Sequence, residues 1–517
     1  ASLTSGQSGY DGSNNAWKLV GNTNASRHNL LQSFSITGVN TLSVYVKASG
    51  HNYVQLASAS SINQYANFDL SDGSVGSVGS SFVDAKATSV GNGWYRLSVV
   101  NPINTMVSCY ISLISSNTAG WLESWTMSNS ADGVFLQHFQ FEQGLVATDY
   151  IETGASTALA GLLENEPRID FTGGGCGSLL LEPLRTNKIT NSEYINTTTF
   201  NQTNLISISN NYATSPEGLQ NAAKIIPTAV SGYHQIRTDL ATPNGYDIIS
   251  CFVKASGYNY VQLASWADPA NYVNFDLTDG SIGSVGVNGP SIKDIEDYGN
   301  GWYRIHANVQ ASGGGVIGIG IVTSASAGWS ESFTGNGTDG ILVWGAQLEA
   351  GSYPTSYIPT YNSAVTRSQD IANLTDGIPN MIGANSFTFF YDCILTTPRN
   401  GSGTFAHLDL DGIIGIKGAS NTSIRVHCIG SVNFSTSVPI LNLSSGRHKF
   451  AITLNSNGVG HYFVDGVKQT GEITYSGSGF VGDDCKIDGG AYNQKGNQLL
   501  VFPTALTDEE CSALTQP

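Results

Sequence analysis

The sequence predicts an all-β protein built of tandem β-sandwiches, and three observations carry that prediction. Short runs rich in Val, Ile, Tyr, Phe and Thr alternate with turns bearing Gly, Asn and Asp. A long stretch of this pattern occurs twice, and neither copy sustains the 3.6-residue apolar period of an amphipathic helix. Charged residues make up only 12% of the chain and Gly accounts for 60 of its 517 residues, the profile of neutral polar sheet faces joined by many tight turns.

The duplication is read from Gly91-Asn92-Gly93-Trp94-Tyr95-Arg96, which returns as Gly299-Asn300-Gly301-Trp302-Tyr303-Arg304. Val46 to Gly50 returns as Val253 to Gly257, and Asn67-Phe68-Asp69-Leu70 as Asn274-Phe275-Asp276-Leu277, a separation of about 207 residues. Ala119-Gly120-Trp121 matches Ala327-Gly328-Trp329, and Asp132-Gly133 matches Asp339-Gly340. Solenoid units repeat at roughly 20 to 50 residues, so these are two copies of a whole domain.

Lys plus Arg number 22 against 39 Asp plus Glu, a net charge of −17. That acidity argues against nucleic acid or an anionic membrane as a partner. No apolar run approaches the ~18 to 20 residues needed to span a bilayer, and no basic-then-apolar leader opens the chain. Its start at Ala1 rather than Met fits a processed protein or a piece of a longer one. The seven cysteines include no Cys-x-x-Cys pair and read as small buried apolar residues.

In order, Thr41 to Val46 and Tyr53 to Leu56 read as strands, Asp72-Gly73 as a hairpin turn, and Gly91-Asn92-Gly93 as the turn into strand Trp94 to Val99. The first module spans 1–154. A connector, 155–178, places Gly173-Gly174-Gly175 between two strand-like flanks and predicts a hairpin. The second module, 179–370, begins with a leader, Leu179 to Asn211, that has no full counterpart in the first copy. The first is therefore expected to be truncated or to be completed by a segment outside this chain. A third domain, 371–517, alternates like strands at Ser386 to Leu395 and Lys449 to Leu454, with Asp465-Gly466 as a hairpin turn. Thr507, with Glu510 three residues on, predicts a capping box on a short terminal helix.

Four strings form a recognisable set: Leu179-Leu180-Leu181-Glu182-Pro183-Leu184-Arg185-Thr186-Asn187, Ser215-Pro216-Glu217-Gly218, Trp344-Gly345-Ala346-Gln347-Leu348-Glu349 and Pro354-Thr355-Ser356-Tyr357-Ile358-Pro359-Thr360. With the Gly-Asn-Gly-Trp-Tyr-Arg motif, they resemble the carbohydrate-binding-module-like jelly rolls of tailed-phage structural proteins. Arg447-His448-Lys449-Phe450, Tyr462 to Gly466 and Leu500 to Glu510 resemble a concanavalin A-like, laminin-G-like sandwich. The first copy departs from the pattern, with Gln137-His138-Phe139-Gln140 in place of Trp344-Gly345-Ala346-Gln347.

Alternation puts Tyr53 and Gln55 on one sheet face with Tyr65, Asn67 and Asp69, turning Phe68 and Leu70 to the core. The second copy repeats this with Tyr260, Gln262, Tyr272, Asn274 and Asp276. Rings beside amides and carboxylates suit sugars, whose C–H faces stack on aromatics while hydroxyls need hydrogen-bond partners. The bland alternative is a solvated face or subunit contact. Trp266 stands where the first copy has Ala59, which favours the second module. Trp94 and Trp302 read as core residues, and His28 and His234 as packed rather than catalytic.

The resemblance also implies a structural calcium, for which Glu217, Asp339 and Glu349 offer hard oxygen ligands. Their counterparts Asp11, Asp132 and Glu142 keep the carboxylate. The Asp-Gly pairs read equally well as ordinary turns. No other cofactor is expected. There is no Gly-x-Ser-x-Gly elbow, His-Glu-x-x-His or phosphate loop. The expectation is thus a non-enzymatic virion-surface protein, a head or tail fibre or capsid decoration, made in the host cytoplasm. The resemblance implies a homotrimer that contacts other virion proteins and host or environmental glycans. The alternatives are a polysaccharide depolymerase and a purely structural cement protein.

Overall fold

A computed structural model of the chain describes residues 1–36, 38–102, 106–154, 156–158, 166–171, 177–195, 200, 202–240, 247–266, 268–309, 316–351, 353–374, 386–395, 404–410, 413–420, 423–429, 434–436, 441–442, 445–476, 482–488 and 494–517. Among them the protein is nearly all antiparallel β-structure, with one short helix.

Each repeated module is a sandwich of two sheets. In the first, one sheet runs Ser2–Gln7, Ala16–Val20, Gly133–Gln143, Asn40–Ser49, Trp94–Asn101, Asp84–Gly91. The other runs His28–Ile36, Met106–Leu113, Tyr53–Ser58, Tyr65–Asp69, Ser74–Val78. This interleaved order of sequentially distant strands is that of a jelly roll. The second module repeats it, with strands Ala222–Pro227, Gly340–Ala350, Asp247–Ser256 and Trp302–Ala307 facing His234–Thr238, Ile317–Val322, Tyr260–Ser265 and Tyr272–Asp276.

Period-2 alternation builds the cores. Val54, Leu56, Ala66 and Phe68 from one sheet meet Val44, Val46, Leu97 and Val134 from the other, all with no more than 1% exposure. At ~25 cal/mol per Å² of apolar surface, each of the Val, Leu and Phe side chains contributes about 1.5 to 3 kcal/mol.

The Gly-Asn-Gly-Trp-Tyr-Arg motif is structural. Asn92 and Gly93 take φ of 52° and 77° between the paired residues Gly91 and Trp94, the left-handed pair that a two-residue hairpin needs. Asn300 and Gly301 do the same at 51° and 77°. Trp94 and Trp302 are buried, but on the outer side of their sheet, in satellite clusters with Tyr45 and Phe135 and with Phe252 and Trp344. Arg96 donates to Ser43 Oγ (3.2 Å) and to the carbonyl of Thr148, tying down the segment after the last strand.

The chain divides into two compact units. The jelly rolls form one, comprising 1–159, 187–349 and 357–365; the other holds 160–186, 350–356 and 366–517. The expected connector hairpin is formed by Ile169–Asp170 against Ser178–Leu181, while residues 172–176 of its turn lie outside the described residues. Ser178–Leu181 continues by pairing with Gln494–Phe502. The first residues of the expected second module thus belong to the C-terminal sandwich, and the boundary moves from 179 to 187. Glu182 fixes this return: it is 2% exposed, pairs with Arg168 (2.7 Å) and Arg367 (2.9 Å), and accepts from the backbone N–H of Ser356 (2.7 Å).

In the C-terminal unit a seven-stranded sheet is built around Phe387–Leu395, flanked by Gly446–Leu454 and Gln494–Phe502. Helix Asp508–Leu514 packs Cys511 and Leu514 against Phe390, Ala451 and Phe463. Its N-terminus carries the predicted capping box between Thr507 and Glu510, and Asp465-Gly466 forms the predicted tight turn, with φ of 49° and 81°. Cys109, Cys251, Cys393 and Cys511 are buried thiols outside any disulfide; Cys176 and the side chains of Cys428 and Cys485 lie outside the described residues.

Candidate functional site

The predicted ligand face forms, but its amides are spent inside the protein. Gln55 and Asn67 sit opposite one another and are fully buried. Gln55 Nε2 donates to Asn67 Oδ1 (2.8 Å) and to the carbonyl of Gly120 (2.9 Å), and its Oε1 accepts the N–H of Leu122 (2.7 Å). Asn67 Nδ2 donates to the carbonyls of Asn117 (3.1 Å) and Ala119 (2.7 Å).

The second copy repeats every bond. Gln262 Nε2 donates to Asn274 Oδ1 (2.7 Å) and Gly328 O (2.9 Å), Ser330 N–H to Gln262 Oε1 (2.8 Å), and Asn274 Nδ2 to Ala325 O (3.1 Å) and Ala327 O (2.7 Å). These amides therefore hold a loop and do not face a ligand, a correction to their predicted role. Burying an amide without partners costs roughly 1 to 3 kcal/mol, and the loop supplies those partners. Asp69 and Asp276 are likewise tied into turns, accepting from Ser71 (2.9 and 2.6 Å) and Thr278 (2.9 and 2.6 Å). Tyr53, Tyr65, Tyr260 and Tyr272 stay half-buried on the predicted faces. Tyr260 and Tyr272 stand four residue positions apart along the paired strands, about 13 Å.

What the loop carries is a tryptophan. Trp121 Nε1 donates to Ser58 O (3.0 Å) and Trp329 Nε1 to Ser265 O (2.9 Å), so both indoles lie over the same end of the sheet. Here the copies diverge. In the second, Trp266 and Trp329 stand 5.2 Å apart, with Tyr233 at 6.0 and 6.2 Å from them. Arg237 lies over Trp266 at 3.9 Å, inside the range of a cation–π contact.

The strand beside Arg237 presents Gly318 and Gly320 outward while Ile317, Ile319 and Ile321 fill the core. A Cβ on Gly318 would meet Arg237 Cγ and Gln235 Oε1 at 3.2 Å, so the arginine stem rests on that bare strip. Arg237 Nε and Gln235 Nε2 are both buried without a hydrogen-bond partner. In the first copy the same positions hold Leu31 and Asn29, Tyr110 and Ser112 replace the two glycines, Ala59 replaces Trp266, and Arg27 covers Trp121 at 5.2 Å.

The sequence singles out Trp266 and shows Trp329 only as a repeat of Trp121. Sequence reasoning missed Tyr233, Gln235 and Arg237. The signal was available: counting from the matched His28 and His234 aligns Arg237 with Leu31, and the alternation in Gly318-Ile319-Gly320-Ile321 marks a strand with one naked face. The two histidines are buried, as expected, with His234 held between the carbonyls of Leu205 (2.7 Å) and Phe333 (2.9 Å).

The calcium ligands do not assemble. Asp339 and Glu349 bracket the strand Gly340–Ala350, roughly 30 Å apart at ~3.3 Å per residue. Asp339 accepts from Asn336 (2.6 Å), Glu349 is buried against Gln347 (2.7 Å), and Glu217 accepts from Asn221 (2.5 Å). Asp132 and Glu142 bracket the matching strand of the first copy, and Asp11 is bound by Ser13 and Gln137. Among the described residues no three His, Cys, Asp or Glu side chains gather as a metal site. No helix among them is long and apolar enough to cross a membrane. No known protein family matches the chain, and no curated protein matches it.

Proposed function

We propose that the chain is a structural virion protein, a fibre or capsid decoration, that binds glycans through the outer face of its second jelly roll and performs no catalysis. The virion setting rests on the resemblance of the quoted strings to phage jelly rolls. The glycan reading rests on one observation: Tyr233, Trp266 and Trp329 gather around a bare glycine strip beside two unpartnered buried donors, in one copy of the fold only. Aromatic faces take the C–H side of a sugar, Gln235 takes a hydroxyl, and the guanidinium of Arg237 pairs with a carboxylate. That combination favours acidic glycans over neutral ones. Each site is weak alone. Assembly into the homotrimer implied by the resemblance raises avidity by roughly 10² to 10⁴ where geometry permits.

A glycan array probed with the intact chain tests this reading. Binding to uronate- or sialate-bearing glycans, lost in Arg237→Gln and in Trp266→Ala, is expected. Silence across a broad array supports a mechanical cement role instead, and release of new reducing ends supports a depolymerase.

A further inference from the structure

The two jelly rolls share one compact unit, and an acidic pair lies beneath the contact between them. Val39, Val100 and Leu145 of the first, each no more than 3% exposed, pack with Val146 against Tyr194 and Tyr361 of the second. The backbones also approach closely: a Cβ on Gly38, which takes a φ of 97°, would stand 2.4 Å from the carbonyl oxygen of Tyr361. Beside this apolar patch Asn211 donates to Asp84 Oδ2 (3.3 Å) and to Leu145 O (3.1 Å), and Lys86 pairs with Asp84 (2.9 Å).

Tyr361 belongs to two structures at once. Its ring lies in the contact, while its hydroxyl donates to Oε1 of Glu193 (3.2 Å), the residue before Tyr194. Glu193 is 3% exposed and also accepts from Tyr357 (3.1 Å) and from Asn221 Nδ2 (3.0 Å). The same Asn221 nitrogen donates to Glu217 Oε1 (2.5 Å), so one amide stands between two carboxyl groups. Among the described residues no Lys or Arg pairs with either of them. The groups that face the pair are Tyr357, Tyr361 and Asn221, and Glu142 of the strand Gly133–Gln143 acts on the Tyr361 hydroxyl from the first jelly roll.

Two charges on one amide, with no cation near, require water. Tyr357 is shielded by Phe252 and Trp344, at 6.4 and 4.6 Å between ring centres, and Asn221 is 2% exposed. Tyr361 is only half-buried and opens the exposed run 362–366, so its withdrawal is the direct path by which water reaches Glu193. The same movement takes its ring from Val39, Val100 and Leu145. Burial and Glu217 push the Glu193 carboxyl up to about 7. At pH 8.5 about one molecule in thirty then keeps the proton.

We infer that Tyr361 is a proton-dependent latch between the jelly rolls, fixing their relative orientation while the Glu193–Glu217 pair carries at most one charge and releasing it when both are ionised. The latch is a two-state element biased by protonation of a buried group.

The test is pulsed electron–electron spin resonance on the intact chain, with nitroxides on ketone-bearing residues placed at Val90 in the first jelly roll and Val287 in the second, both exposed. One narrow distance distribution is expected at pH 5.5, broadening about twofold at pH 8.5 as the released state becomes populated. Glu193→Gln and Glu217→Gln each stay narrow at pH 8.5. The near-ultraviolet circular dichroism of the unaltered chain persists across this range, because both sandwiches remain folded. Equal widths at the two pH values overturn the inference. So does broadening that persists in either folded variant, or that comes with loss of the near-ultraviolet signal.

Discussion

The guanidinium of Arg237 stands 3.9 Å from the centre of the Trp266 ring, and neither residue has a counterpart of its kind in the first jelly roll. The contact orders both side chains while leaving Arg237 Nε without a hydrogen-bond acceptor. Arg237→Gln is therefore expected to lower acidic-glycan affinity by about tenfold or more, the scale of one charge-assisted hydrogen bond, while neutral glycans lose less. Gly318→Tyr, which copies the first module at that position, is expected to abolish binding to both classes by covering the bare strip. Surface plasmon resonance against immobilised glycans separates the two effects.

The Gln262–Asn274 pair fixes the Trp329 loop, so Gln262→Ala leaves the N–H of Ser330, the carbonyl of Gly328 and part of Asn274 unsatisfied. A loss of about 1 to 3 kcal/mol is expected in denaturant unfolding, together with greater exposure of Trp329. Gln55→Ala should cost a similar amount and leave glycan binding unchanged. Equal loss of binding in both variants would contradict the assignment of the site to the second copy.

Glu193 makes the second module sensitive to pH. Burial and the neighbouring Glu217 push its carboxyl up to about 7 from the ordinary 4.5, against the hydrogen bonds from Tyr357, Tyr361 and Asn221. The folded state thus holds a proton that the unfolded chain releases at lower pH. Its contribution is fully present below pH 4.5 and is lost as pH rises to about 7, a decline of about 3 kcal/mol. Glu193→Gln is expected to flatten that slope. Calorimetry at pH 4.5 and 7.5 reads it as the difference in the Tm gap between the two proteins.

Glu182 neutralises Arg168 and Arg367 inside the C-terminal unit, and both arginines hold its carboxyl below the usual range despite burial. Glu182→Ala leaves Arg168 with Asp370 alone and takes from Arg367 its buried carboxylate, and is expected to cost about 3 kcal/mol, the low end of the range for breaking a buried ion pair from one side. Chemical denaturation of the intact chain measures this; a cost below 1 kcal/mol would mean that solvent reaches the pair.

Local rules wrote much of this fold legibly into the sequence. Asn92-Gly93 and Asp465-Gly466 need left-handed backbone, Thr507 with Glu510 needs only three residues of spacing, and Phe68 beside Asn67 follows from the pleat. Pairings across long separations were not legible. Nothing local distinguishes an amide on a sheet face that meets solvent from one that meets a loop more than sixty residues away, which is why Gln55 and Gln262 were read as ligand contacts. The return of Ser178–Leu181 to Gln494–Phe502 was hidden for the same reason, since Leu179-Leu180-Leu181 would suit either sandwich. Arg237 was hidden because its place over Trp266 depends on the absence of a side chain on the next strand, a property of Gly318 that only register reveals.

The amide pairs grip their loops through backbone atoms alone: the carbonyls of 117, 119 and 120 and the N–H of 122 in one copy, and those of 325, 327, 328 and 330 in the other. Such a clamp is indifferent to the side chains it holds, and Leu122 in one copy stands where Ser330 stands in the other, each at a positive φ near 45°. What these loops present is thereby uncoupled from what holds them. They can exchange side chains over generations with little penalty to the sandwich beneath, so the surface at this end of the sheet can change while the architecture stays fixed.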